Sequence, residues 1–140
     1  MKLSQLLTVN AVLYLAFGIA FALYGPLMIA MYGILETEGS VSMYWYVASF
    51  SRMFGTALFG FGFLLWSVRH IGEFEPNDAI QPGRETRRGI VFALLLANLL
   101  GFVVAITQQS SIWGTFIGWI TVGMFLLLVL GYGYFMVRRT

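Results

Sequence analysis

From Gly89 to Val137 the chain carries no charged residue. As a single helix this stretch would run roughly 74 Å at about 1.5 Å per residue, against a bilayer core about 30 Å thick. It is therefore too long for one crossing and must fold back. The polar group inside it, Gln108-Gln109-Ser110-Ser111, marks the predicted tight turn. Two spans follow, at about 89–107 and 112–137.

The same reading finds two spans upstream. The first runs over about 6–24 and ends at Gly25-Pro26, because proline lacks the amide hydrogen and crowds the preceding turn. Leu27 to Leu35 is apolar but too short to cross. A short interfacial helix over about 26–35 is expected there, with a bent continuation of the first span as the alternative. Glu36-Thr37-Glu38-Gly39-Ser40 is a polar loop. The second span covers about 44–68, where Trp45 and Trp66 stand about 32 Å apart on a helix. His70 to Arg88 is the one long polar connection. The expected fold is an all-α membrane protein, residues 1–140 forming one domain of four transmembrane helices in an antiparallel bundle. With 59% hydrophobic and 10% charged residues, against about 25% charged in soluble domains, no soluble domain is expected beside it. Met1-Lys2-Leu3-Ser4-Gln5 opens like a signal peptide, but no small-x-small cleavage site follows, so the first helix is expected to be retained.

Threading four spans puts Lys2, Arg69, Arg84, Arg87, Arg88, Arg138 and Arg139 on one side, seven of the eight basic residues. Glu36 and Glu38 fall on the other. The bias predicts a protein of the inner (cytoplasmic) membrane with both termini and the 70–88 loop cytoplasmic.

The eighth basic residue is Arg52, about 10 Å inside the nearer rim of span two. An arginine within a span costs about 2.5–3.5 kcal/mol on insertion scales, so it needs a partner or a role. Thr121, Tyr24, Thr107 and Gln108 are candidate partners at similar depth, and Glu36 or Glu38 could fold onto it. It either bonds inside the bundle or snorkels, or it binds an anionic head group, a carboxylate or a partner's acid. Asn98, mid-span on helix three, is expected to form an interhelical hydrogen bond. Arg52, Asn98, Thr121 and Tyr24 make up the candidate intramembrane polar site, while Asn10 and Thr8 lie nearer the rim, where water reaches them.

Helices associate in lipid through close contact of small residues and through polar bonds. Span three has Gly89, Ala93, Ala97, Gly101 and Ala105 at steps of four, a ridge expected to pack internally. Gly114 and Gly118 form a Gly-x-x-x-Gly pair in span four, and Ser51/Gly55, Thr56/Gly60 and Gly18/Ala22 are further small pairs. Trp45, Trp66, Trp113, Tyr44, Tyr46, Tyr132 and Tyr134 read as interfacial anchors.

Several function classes find no support. A net charge of +2, thinly scattered, does not suit nucleic-acid binding. The absence of cysteine removes disulfides, thiol redox chemistry and thiolate metal sites. His70 is the only histidine and has no acidic cluster at metal-ligand spacing around it. Glu73 and Glu75 do not resemble a catalytic pair, and Gly60-x-Gly62 lacks the strand-to-helix setting of a nucleotide loop. No enzyme activity, cofactor or metal is expected.

The run Ser51-Arg52-Met53-Phe54-Gly55-Thr56-Ala57-Leu58-Phe59-Gly60-Phe61-Gly62 resembles that of small four-span bacterial membrane proteins of unknown function, DoxX-like in layout. The Gly25-Pro26 break and the Arg87-Arg88 pair fit the same layout. The resemblance implies a four-helix bundle and no catalytic residue. The glutathione-transferase-like four-span enzymes are similar in size, but this chain lacks their arginine- and glutamate-bearing helix pattern. Small-residue ridges, abundant aromatics and minimal loops point to a non-enzymatic accessory or structural subunit of a larger membrane complex. Its expected partners are the lipid bilayer and other integral membrane proteins, or further copies of itself. A small carrier or lipid- or anion-binding protein using Arg52 is the alternative.

Overall fold

The computed structural model describes residues 2–35, 41–72 and 83–137. Glu36, Glu38, the 73–82 part of the long connection and Arg138-Arg139 lie outside them, as do the expectations resting on those residues. Among the described residues the chain is all-helical: α1 (Leu3–Met31), α2 (Val41–Val68), α3 (Gly83–Gln108) and α4 (Phe116–Val137). A 3-10 turn, Arg69–Gly72, extends α2, and a π turn, Gln109–Trp113, extends α3. Four helices are long and apolar enough to cross a membrane, which marks the chain as a membrane protein.

Three boundaries differ from the sequence expectation. Helix α1 does not stop at Gly25 but continues to Met31, bent where Tyr24 leaves helical geometry at φ −115 and ψ 35. Pro26 breaks the local ladder, yet Met28, Ile29 and Tyr32 beyond it are buried. Tertiary packing thus holds residues 26–31 as a bent continuation of α1. At the other hairpin the chain does not turn at 108–111. Thr107 Oγ1 donates to the Val103 and Val104 carbonyls at 2.9 and 2.8 Å, and Ser110 Oγ to that of Ile106 at 2.7 Å. These side chains satisfy themselves on their own helix, so polarity does not end it. The reversal falls at Gly114, whose φ of +59 suits glycine and whose N–H donates to the Gln109 carbonyl at 3.3 Å. Finally, α3 starts at Gly83, inside the expected 70–88 loop.

The tightest contact joins α1 and α2. A Cβ built on Gly18 would lie 2.5 Å from the Phe59 amide nitrogen. On Gly62 it would lie 2.8 Å from that of Leu15, and on Gly25 2.9 Å from Ser51 Oγ. On Gly55 it would run into the backbone of Phe21 and Ala22. As the α1 number rises the α2 number falls, so the two run in opposite directions. The close points repeat every seven residues: Ala11, Gly18 and Gly25 on α1, and Ala48, Gly55 and Gly62 on α2, all buried. A seven-residue repeat keeps one seam facing a partner along the whole helix, and small residues there let backbones approach.

Helices α3 and α4 form the second hairpin, with Gly101 filled by the Phe125 ring. The hairpins meet at the end carrying the chain termini, where Leu3, Leu6, Leu7, Tyr14, Leu65, Val91, Leu94, Leu128, Tyr132 and Phe135 form the apolar core. Helix α1 thus lies against both α2 and the second hairpin. By contrast α2 packs on α1 alone among the four helices.

Candidate functional site

Two polar groups stitch the hairpins together inside the apolar interior. In the first, Asn10 Nδ2 donates to Tyr132 Oη at 2.8 Å, linking α1 to α4. One turn along α1, Tyr14 Oη donates to Asn98 Oδ1 at 3.1 Å, reaching α3. Asn98 Nδ2 in turn donates to the Leu94 carbonyl at 2.7 Å. Asn10, Asn98 and Tyr132 are wholly buried, each at 0% exposure. Where no water replaces a lost bond, each link holds its helices in one register. Asn10 Oδ1 finds no partner among the described residues.

The second group lies at the opposite end. Tyr32 and Thr121 share a hydroxyl–hydroxyl bond of 2.7 Å. The Tyr32 ring sits 4.7 Å from that of Trp113 and stacks on Phe21 at 6.1 Å, while Phe21 meets Phe54 of α2 edge-on at 5.6 Å. Gln109 turns inward from the π turn and donates Nε2 to the Thr115 carbonyl at 3.0 Å. Its amide lies over Gly118, where a Cβ would collide with Oε1.

The four candidate polar residues do not converge. Asn98 and Thr121 are buried, but in different groups at different depths. Tyr24 is 59% exposed at the bend of α1 and takes no part in either. Arg52 is exposed on the flank of α2, beside the α1–α2 seam. Its Cγ crosses the notch at Gly25, 2.9 Å from a Cβ built there, and among the described residues its guanidinium has no hydrogen bond or ion pair. At helical spacing from it α2 presents Trp45, Ser49, Thr56 and Phe59, all exposed. Among the described residues this cation therefore has no charge partner, on a face of aromatic and hydroxyl side chains.

The packing residues divide in the same way. Gly55 is in the α1–α2 seam, whereas Gly60 is exposed with nothing near it. Steps of four residues advance 400° around a helix, so the α3 ridge winds about 40° per step. Gly101 and Ala105 consequently meet the interior while Gly89, Ala93 and Ala97 face outward. Gly114 is the turn residue and not half of a helix-packing pair with Gly118, which instead makes room for Gln109.

Sequence reasoning missed Asn10, Tyr14, Tyr32 and Tyr132 as partners. Tyr132 is not an interfacial anchor and Asn10 is not solvated, because both face the junction of α1 with the second hairpin. A usable signal is present: Asn10 and Tyr14 are one turn apart on α1, and Tyr132 shares a face with Thr121, Leu128 and Phe135 at steps of seven, four and three. Compared with family models, curated proteins and solved structures, the chain matches none. Its function is therefore argued from its own surface.

Proposed function

We propose that this protein is a non-enzymatic accessory or structural subunit of a larger membrane complex, and that the exposed flank of α2 carrying Arg52 receives a helix from another integral membrane protein. In this reading the four helices form an antiparallel bundle in a cytoplasmic membrane, termini inside, with residues 26–31 near the outer boundary. The DoxX-like resemblance contributes its layout only.

The observation that carries the proposal is Arg52, exposed and without a partner among the described residues on a helix supported from one side. Lipid chains offer a guanidinium nothing, whereas a carboxylate at the same depth offers a bidentate, desolvated pair. None of the chain's six acidic residues falls within the four candidate spans. A second copy brings no acid to Arg52 from its spans, so a different protein suits the site better than self-association.

The test is gentle-detergent extraction from native membranes, with mass spectrometry of what co-purifies. A stoichiometric membrane partner bearing an aspartate or glutamate within a span is expected. Arg52→Gln leaves that acid uncompensated, costing about 3–5 kcal/mol, a loss of more than about a hundredfold in affinity. Unchanged partners in the Arg52→Gln preparation would refute the reading. The alternative, a small carrier or lipid- or anion-binding protein, draws on the same exposed cation. It is favoured if the wild type extracts alone with a lipid or anion that Arg52→Gln loses. Its support is that side chains lean toward the helix N-terminus, which carries Arg52 toward the nearer rim.

A further inference from the structure

At the end of the molecule opposite Arg52, the start of α3 and the last turn of α4 flank a shallow, open groove of about 320 Å³, lined by Arg88, Gly89, Phe92 and Met136. Its wall is almost wholly apolar. Its floor is bare because Gly89 has no side chain, and a Cβ built there meets nothing within 4 Å. Among the described residues that line it, the charged one is Arg88, at the lip. Arg88 lies two residues inside the third candidate span and Met136 one residue from the end of the fourth, so the groove opens at the level where hydrocarbon gives way to head groups.

We propose that this groove binds one anionic phospholipid of the surrounding bilayer, with its phosphate on Arg88 and the first part of an acyl chain over Gly89, between Phe92 and Met136. The volume is at the lower end of small-molecule sites, enough for a phosphate with adjoining methylenes but not for a whole lipid, whose remaining chain stays in the bilayer. Charge selects the occupant. The lip carries the Arg88 guanidinium, so an anionic head group is favoured over a zwitterionic one. Basic pockets between helices at the cytoplasmic side commonly take such lipids. The apolar wall distinguishes a lipid from free phosphate, which has no use for Phe92 or Met136.

The experiment uses the purified, delipidated full chain in detergent, titrated with phosphatidylglycerol or phosphatidylcholine of identical acyl chains and read by native mass spectrometry. One phosphatidylglycerol per chain should be retained, at least about fivefold more tightly than phosphatidylcholine, the effect of one basic residue at an anionic surface. Arg88→Gln should lose about that factor and Arg88→Lys should recover most of it. A Cβ at Gly89 meets nothing within 4 Å, so Gly89→Leu, which adds bulk at the groove floor, should weaken retention while the thermal unfolding curve stays at or above wild type. Arg52→Gln should retain the lipid as wild type does, separating this site from the α2 face. Equal binding of the two lipids, wild-type retention by Arg88→Gln or by folded Gly89→Leu, or displacement by millimolar inorganic phosphate would each overturn the proposal.

Discussion

Gly55→Ala tests whether the α1–α2 seam is as close as its geometry implies. The added methyl would sit 2.7 Å from the carbonyl carbon and the Cβ of Phe21, and nearer still to the Ala22 amide nitrogen. Ordinary contact begins at 3.4 Å, so the pair must open by more than about 0.7 Å, and the obstacle is backbone, which has no rotamer to change. Opening it there loosens the contacts at Gly18 and Gly62 on either side. Overpacking of this kind costs about 1–3 kcal/mol. The substitution also removes a helix-weakening glycine, a gain of about 0.5–1 kcal/mol. Gly60→Ala, on the same helix with nothing within 4 Å, makes that gain without the clash and is the reference. Denaturant titration in mixed micelles, followed by tryptophan fluorescence, should find Gly55→Ala about 1–3 kcal/mol less stable than Gly60→Ala. Equal stability of the two would refute the seam.

Two further outcomes follow from the polar groups and the hairpin turn. Gly114→Ala forces a Cβ into the left-handed region at φ +59 and should lower stability by about 1–2 kcal/mol; the same change at Gly123, open and at negative φ, should not. Tyr14→Phe combined with Asn98→Val should show a coupling of about 0.6 kcal/mol, and no more than about 1.7, in a double-mutant cycle by the same titration. Zero coupling would remove that bond from the account of helix register.

Much of the architecture is legible in the sequence because hydropathy over a span-length window is a sum, tolerant of errors at single residues. The four helices are found that way, and Arg52 stands out as the lone charge within the spans predicted from sequence. Details governed by one residue's direction are not legible. Ser110 looks like part of a turn but bonds back to its own helix, while Gly114 looks like a packing glycine but carries the reversal. Spacing misleads similarly: steps of four draw attention to the α3 ridge, which winds out of the interface, while steps of seven in α1 and α2 mark the real seam. Depth along a span does not reveal which way Arg52, Asn10 or Tyr24 points, because that depends on which helices stand beside it.

That dependence makes Asn10 and Tyr132 the sharpest probe of how the hairpins are held together. Tyr132→Phe removes the acceptor of Asn10 Nδ2 and leaves the whole amide buried without a partner, since Oδ1 already lacks one among the described residues. Stranding a buried polar group costs about 1–3 kcal/mol, whereas replacing both partners by apolar groups of similar shape is close to neutral. Tyr132→Phe alone should therefore destabilise the protein by about 1–3 kcal/mol, and adding Asn10→Leu should recover most of the loss. Such a rescue would mean that the bond selects one arrangement of α1 against α4 more than it stabilises it, the surrounding core of Leu3, Leu7, Leu128 and Phe135 supplying the adhesion. If Asn10→Leu instead deepens the loss, the amide stabilises the fold through contacts other than Tyr132, and the polar layer is a source of stability in its own right.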